Sequence, residues 1–362
     1  MVIHGYCFDE SQWKTLGGNG QCVAAEKGGK KYFIKRLNKP KYPINKNFTG
    51  AFRQEKIREC NRWLEQRQAI LRALPGTGTG NIVKPIEYFL DGPCYYEIAY
   101  CVDVSNIPYT EIWKLSKQEK ALLMLTIAKS LSEVHGKGIV HGDLDPGNIL
   151  ISRAAGGNLV TKIIDFTDAF FETDPPESIM SKEAWWSPEV ALYSKNPAKC
   201  RGLISRKADV FSLGLIFHQY CTKNGEFPRH SGDYPWMGFL NHGKLTVAPT
   251  IDPELQTLIA AMLALDPDDR PDMKEVCEAL KNIVNGKPAH AAELKTTPKA
   301  PTPPAPLAKC AYKPGPQKNG KGAAVSTVEM PNAKKVKVTF SDGSKQIYDV
   351  GLALNMKYIV KA

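Results

Sequence analysis

Apolar and polar positions alternate with a period of two over Gln21–Glu26 and again over Lys31–Leu37, with Gly28-Gly29 between them. This predicts two antiparallel strands joined by a tight turn. A long helix is predicted over Phe48–Leu74, where Ile57, Cys60, Leu64, Leu71 and Leu74 fall on one face. Two further strands are expected over Ile82–Phe89 and Cys94–Tyr100, around the turn Asp91-Gly92-Pro93. From Ser116 onward the period lengthens to that of helices: Lys117–His135, Lys207–Tyr220, Pro253–Leu265 and Met273–Val284. A small β-rich part thus precedes a larger helical one, with no internal repeat.

The pattern breaks near residue 285. Residues 285–333 are rich in Pro, Lys, Ala and Gly, including Ala300-Pro301-Thr302-Pro303-Pro304-Ala305-Pro306, and hold too few large apolar side chains to offset the entropy of ordering. A flexible linker is expected there, spanning roughly 35–42 Å if coil-like. Alternation then returns at Val336, Val338 and Phe340. A turn at Ser341-Asp342-Gly343-Ser344 leads to Ile347, Tyr348 and Val350, which predicts a C-terminal β-hairpin. A lone hairpin is marginal in water, so this one requires a partner surface. The Thr-Pro pairs at Thr297-Pro298 and Thr302-Pro303, and the PxxP spacing, suit either modification and docking or a plain solvated spacer.

Charge follows the same boundary. The chain carries a formal +11, but residues 285–362 hold 13 Lys against 4 acidic residues, so the first 284 residues are close to neutral. A nucleic-acid footprint on the main body is therefore not expected. No apolar run approaches the roughly 18 residues that span a bilayer, and the first residues lack the pattern of an export signal. Nine cysteines without a CxxC pair argue against a disulfide framework or zinc site, and fit reduced thiols in a cytoplasmic setting.

The segment richest in chemistry is His141-Gly142-Asp143-Leu144-Asp145-Pro146-Gly147-Asn148-Ile149-Leu150, which sets polar groups in an apolar frame. Fifteen residues on, Lys162-Ile163-Ile164-Asp165-Phe166-Thr167 reads as a strand ending in a carboxylate. Phosphoryl transfer from a nucleotide needs a carboxylate to take the attacking hydroxyl's proton, oxygen ligands for Mg²⁺, and a cation on the phosphates. Asp143 suits the first role, Asn148 and Asp165 the second, and Lys35 the third.

With these residues in view, the chain resembles a eukaryotic-type protein kinase over about residues 12 to 284. Leu16-Gly17-Gly18-Asn19-Gly20-Gln21-Cys22-Val23 resembles the Gly-rich loop, Lys35 the strand lysine, His141–Asn148 the catalytic loop, and Asp165-Phe166-Thr167 the metal-binding triplet. Ser187-Pro188-Glu189, the segment from Lys207 to Gly214, and Asp266–Pro271 match later motifs in order. The resemblance implies an α+β, bilobal protein kinase-like fold: a small β-rich lobe (1–104), a larger helical lobe (105–284), a disordered linker (285–333) and a small β-hairpin (334–362). It also implies ATP and Mg²⁺ as cofactors, with Gly17, Gly18, Gly20 and Lys35 at the nucleotide. Glu189 and Arg270 are implied as a buried ion pair, and Asp209 as a structural anchor. A protein substrate is implied, with no nucleic acid or membrane, a monomer or weak dimer, and a possible partner for the C-terminal tail.

Departures from the family pattern are equally specific. The Gly-rich loop aligns in two registers. The helix offers Glu55, Glu59 and Glu65 as partners for Lys35. Glu59, nearest the apolar face, is the expected choice, and a surface pair with Lys56, Arg58 or Arg62 is the alternative. Gly142 replaces a common arginine, which implies that the segment after Asp165, with Thr167, Thr173, Ser178 and Ser181, needs no phosphate to order it. Asp145 replaces a lysine that touches the transferred phosphate, and Lys182, five residues before Ser187, either compensates or is a solvated loop lysine. The spelling from His141 to Asn148 is also shared with aminoglycoside-type phosphotransferases. Three functions follow: a serine/threonine protein kinase as the leading expectation, a small-molecule phosphotransferase, and a nucleotide-binding pseudokinase scaffold.

Overall fold

The computed structural model describes residues 1–16, 20–44, 50–76, 81–102, 106–240, 245–287, 312–314, 325–332, 335–341, 345–349 and 359–361. By its contacts the chain forms two compact units, Met1–Pro108 with Thr126–Asp174, and Tyr109–Leu125 with Pro175–Ala362.

The first unit is built on an antiparallel sheet of β1 (Val2–Ile3), β2 (Tyr6–Cys7), β3 (Lys14–Leu16), β4 (Gly20–Lys27), β5 (Lys30–Leu37), β6 (Pro85–Asp91) and β7 (Cys94–Tyr100). Strand order is β1-β2-β4-β5-β7-β6, with β3 pairing to β4. The predicted strands are present, and the turn Gly28-Gly29 closes the β4–β5 hairpin at the pair Lys27 and Lys30. The expected strand over Ile82–Phe89 begins only at Pro85, because proline fixes φ and has no N–H for the ladder. Ile82 instead forms an isolated parallel bridge to Ile163.

Alternation along β5 and β7 sorts side chains onto two faces. Tyr32, Ile34, Tyr96 and Ile98 join Ile3, Tyr6, Phe8, Val23, Ala25 and Phe89 in one core. On the opposite face Leu37 and Tyr95 pack with Cys60, Trp63 and Leu64 of helix α1 (Gly50–Ala73). Lys35 and Glu97 lie on that second face, directly opposite each other across the ladder. The predicted start of α1 at Phe48 lies outside the described residues.

The second half of helix α2 (Lys117–His135) leads into β8 (Ile139–Val140), β9 (Ile149–Arg153), β10 (Leu159–Ile163) and β11 (Phe170–Phe171). β9 pairs with β10 and β8 with β11, both antiparallel, and these short ladders brace the loop from His141 to Asn148 and the turn at Asp165.

The second unit holds α3 (Pro188–Lys195), α4 (Pro197–Cys200), α5 (Lys207–Cys221), α6 (Pro235–Leu240), α7 (Pro253–Met262) and α8 (Met273–Val284). Helix α5 is buried along nearly its whole length. Asp252 caps α7 through Glu254 N–H, and Asp272 with Glu275 forms a full capping box on α8. Arg270 spends all its donors inside this unit. It forms a two-pronged pair with Glu189 at 2.6 and 2.9 Å, and it donates to the carbonyls of Ala264, Lys207 and Leu265. Its guanidinium also lies 4.9 Å from the Phe211 ring centre. The pairing of Glu189 with Arg270 implied by the family resemblance is thus formed, and both side chains are excluded from water.

Strands also occur in the C-terminal region: β12 (Tyr312–Pro314), β13 (Val325–Asn332), β14 (Lys335–Phe340), β15 (Lys345–Asp349) and β16 (Ile359–Lys361). The expected hairpin is β14–β15, with Val336 opposite Tyr348. Its partner is β13, which pairs with the other edge of β14, and β12 pairs with β16. β12 and β13 fall within 285–333, so that stretch is not linker throughout. Val325, Thr327 and Val328 give β13 the β-branched positions a strand favours. The Pro-rich stretch 300–306 lies outside the described residues.

Candidate functional site

The loop from His141 to Asn148 is fixed by its own backbone and by two buried anchors. His141 is fully buried, its Nε2 lies 3.1 Å from the Ile164 carbonyl, and its ring sits against Phe166. Gly142 has φ +79°, and a Cβ there would fall 3.0 Å from both the Asp168 carbonyl and the Phe170 ring. Glycine therefore stands at this position for a steric reason: an L side chain would meet strain and crowding at once.

Asp145 is 2% exposed. Its carboxylate accepts from the Gly147 N–H at 2.7 Å and caps the 3₁₀ turn Pro146–Asn148. A second oxygen lies 3.4 Å from the Asn148 amide nitrogen. Asp145, expected as an anion where the family has a phosphate-touching lysine, uses its carboxylate to hold N–H groups of its own loop. The Asn148 amide donates to the Asp143 carbonyl at 2.7 Å and approaches the Asp143 carboxylate at 3.2 Å. The Ile164 N–H donates to the Asn148 carbonyl at 3.0 Å, which ties the loop to the residue just before Asp165.

Asp165 has φ +65°, a left-handed conformation uncommon outside glycine and characteristic of strained functional positions. It stands two residues past the end of β10. Its Oδ1 lies 2.5 Å from Lys35 Nζ, closing a contact between residues 130 apart in the chain. Burial works against both charges. The Lys35 ammonium is nonetheless held above the ordinary lysine range, because the fields of Glu97 and Asp165 outweigh burial. The Asp165 carboxyl is held below the usual carboxylate range, since Lys35 and Thr167 outweigh its burial. Asp168, desolvated and facing the Asp165 charge, is pushed up to about 6.

Lys35, Asp143, Asn148 and Asp165 are thus brought together within the first unit. Glu59 is not part of this group. It lies on the exposed side of α1, 2.6 Å from Lys56, while Glu55 pairs with Arg58 at 2.5 Å and Glu65 is exposed. The expected link from Glu59 to Lys35 is corrected: the helix turns these glutamates to water, where i,i+3 partners hold Glu55 and Glu59. What α1 buries instead is Arg67, whose guanidinium donates to the Thr167 carbonyl.

One residue of the site was missed by sequence reasoning, and the bridging role of Thr167 was not foreseen. Glu97 is 5% exposed and faces Lys35 across the strand pair. Thr167 bridges them: its Oγ1 accepts from Lys35 at 2.8 Å and lies 2.7 Å from both the Glu97 and the Asp165 carboxylates. The available signal was a lone charge in the apolar run Tyr95-Tyr96-Glu97-Ile98-Ala99, in phase with Lys35.

Gly20 opens β4 with φ +146°, and a Cβ there would fall 2.2 Å from the Arg36 carbonyl, so only glycine allows the two backbones this approach. Gly17 and Gly18, expected at the nucleotide, lie outside the described residues. Asp209 is buried in the first turn of α5, and Lys182 is exposed with its ammonium 6.0 Å from the Trp185 ring centre. Among the described residues no helix is long and apolar enough to cross a membrane.

Comparison with known proteins identifies the family. The family model for the protein kinase domain matches residues 17–280. A serine/threonine-protein kinase, PkaA, of Streptomyces coelicolor is 28% identical over 236 residues, 64% of this chain and 41% of its own. A probable serine/threonine-protein kinase of Dictyostelium discoideum is 29% identical over 209 residues, 56% of this chain and 31% of its own. Serine/threonine-protein kinase 16 of Rattus norvegicus is 22% identical over 204 residues, 55% of this chain and 64% of its own. The chain thus spans about a third to two thirds of the length of these relatives. With the kinase-domain match covering most of its length and its site residues arranged as above, the chain belongs to the eukaryotic-type protein kinase family, as a divergent member.

Proposed function

We propose that this chain is an active protein kinase that transfers the γ-phosphoryl group of Mg-ATP to serine or threonine hydroxyls of a protein substrate in the cytoplasm. The observation that carries this reading is the contact between Lys35 and Asp165, with Asn148 bonded to the Ile164 N–H and Asp143 bonded in turn to the Asn148 amide. The donor set fits a hard divalent cation: a carboxylate with lowered pKa at Asp165 and an amide oxygen at Asn148, whose nitrogen is already committed to Asp143. When bound, Mg-ATP supplies the transferable phosphoryl group and neutralises its developing charge. Asp165 and Asn148 offer the oxygens that hold the ion, and Lys35 offers the cation for the phosphates. Asp143 orients the acceptor hydroxyl and takes its proton. These residues act chiefly by position and charge, since a loose phosphoryl transition state asks for little covalent help.

The intact pairing of Glu189 with Arg270 supports a protein rather than a small-molecule acceptor, because the resemblance links that pair to the large lobe of protein kinases. Labelled ATP offered with a generic acceptor protein and a metabolite panel separates the two readings. Asp143→Asn should lower kcat by at least a hundredfold at an unchanged melting temperature. Equal incorporation by wild type and Asp143→Asn would leave a scaffold as the better account.

A further inference from the structure

Resting on the kinase reading, we propose that Glu97 of β7, acting through the Thr167 hydroxyl, is the positioning residue for Lys35, in the place that a glutamate of α1 was expected to fill.

Three independent placements support this. Register puts Lys35 and Glu97 directly opposite each other on the face of the sheet that meets α1. Thr167 closes the gap: it accepts from Lys35 at 2.8 Å and donates toward Glu97 at 2.7 Å, since Asp165, equally near, already accepts from Lys35. A hydroxyl has one proton and two lone pairs, so Thr167 can accept from an ammonium while donating to one carboxylate. The same Glu97 oxygen is also held by the Tyr88 phenol at 2.8 Å, which fixes the carboxylate from its far side. Finally, α1 presents a cation rather than an anion to this region, since Arg67 reaches the Thr167 carbonyl while Glu55 and Glu59 pair at the surface.

Together these reverse the expected polarity. Beyond its direct pair with Asp165, Lys35 finds its second anion on the neighbouring strand, while the helix contributes a second cation. The arrangement also gives the threonine at position 167 a purpose. Without a hydroxyl there, Lys35 would lose its bridge to Glu97, so the two residues form one device. A positioning role of this kind fixes the ammonium where phosphates would meet it.

The test uses the full chain and two readouts: ADP affinity by calorimetry without metal, and kcat and KM for Mg-ATP with a generic acceptor protein. Glu97→Gln should weaken ADP binding at least fivefold and lower kcat/KM at least tenfold. Glu97→Asp should recover part of that loss. Thr167→Val should reproduce the defect and Thr167→Ser should not. The double variant Glu97→Gln with Thr167→Val should add less than threefold to either single one, because both break one linkage. Glu59→Ala should stay within twofold of wild type throughout. If Glu97→Gln does not fold, the Thr167→Val and Thr167→Ser pair decides the matter alone. ADP affinity within twofold of wild type in Glu97→Gln or in Thr167→Val overturns the proposal, as does a loss in Glu59→Ala equal to that in Glu97→Gln. Absence of phosphoryl transfer by wild type would defeat the kinase reading, whereas the ADP measurements would still decide the role of Glu97.

Discussion

Individual positions in this chain are constrained by short-range geometry more than by charge. Gly142 is the clearest case. The resemblance suggested that losing an arginine there removes a need for phosphorylation, but the structure supplies a nearer cause in its φ of +79° and the crowding by Asp168 and Phe170. Gly142→Ala should cost about 1–3 kcal/mol of stability, read as a lower midpoint in urea. Thr167, read from the sequence only as one of the hydroxyls that need no phosphate, is a buried bridge, and Ser181 accepts from the Trp186 indole at 2.6 Å. His218 is a buried titratable group outside the site, facing the Glu226 carbonyl at 2.9 Å and the Ala248 N–H at 3.1 Å. The Ala248 N–H requires a lone pair on Nε2, so the ring is neutral, and burial holds its pKa below the usual value of 6.5. The unfolded chain therefore binds the proton more readily, and this group's effect is to lower stability as pH falls below about 6.5. Denaturant midpoints between pH 7.5 and 5.5 should fall less steeply in His218→Gln than in wild type.

At the scale of elements, the predicted helices and strands are largely those observed, because period and capping act within a few residues of each other. Lys117–His135 and Met273–Val284 form as the pattern indicates. The capping box on α8 combines the Asp272 carboxylate, which accepts at 2.8 and 2.9 Å, with Glu275, which accepts from the Asp272 N–H at 2.6 Å. Asp272→Ala should lower stability by about 1 kcal/mol, measurable by thermal melting, with little effect on activity. Helix α1 shows where the pattern was insufficient. Its apolar stripe is broad enough that Glu59 could be drawn toward the sheet, yet the side that packs carries Cys60, Arg67 and Ile70. Which of several charges a helix buries depends on what the facing surface offers. Here Trp63 and Tyr95 occupy the contact, and the Thr167 carbonyl receives the arginine.

Across the whole molecule, the site residues and the deepest ion pair sit in different compact units, each internally consistent. In the second unit, Glu189 and Arg270 are 81 residues apart in the chain and almost wholly dry. Removing one partner strands a buried charge, so Glu189→Ala should cost about 3–5 kcal/mol, whereas Glu189→Leu combined with Arg270→Met should cost less. Calorimetric melting of both variants checks the order. The excess of positive charge belongs to the C-terminal region by composition. Truncation after Lys287 should therefore lower the salt needed to elute the protein from a cation exchanger.

The sequence by itself determined the family and the order of elements, and it singled out Lys35, Asp143, Asn148 and Asp165 as the candidates for the site. These rest on local periodicity and on fixed spacing within short segments, which the chain carries without reference to its folded partners. Tertiary structure alone decided that Lys35 answers to Glu97 and Thr167, that α1 turns its glutamates to water, and that Asp145 caps a turn. Each of those outcomes is a competition between groups far apart in the chain for one buried position. Strand register, desolvation and the supply of donors settle such a competition, and none of them is visible until the backbone has folded.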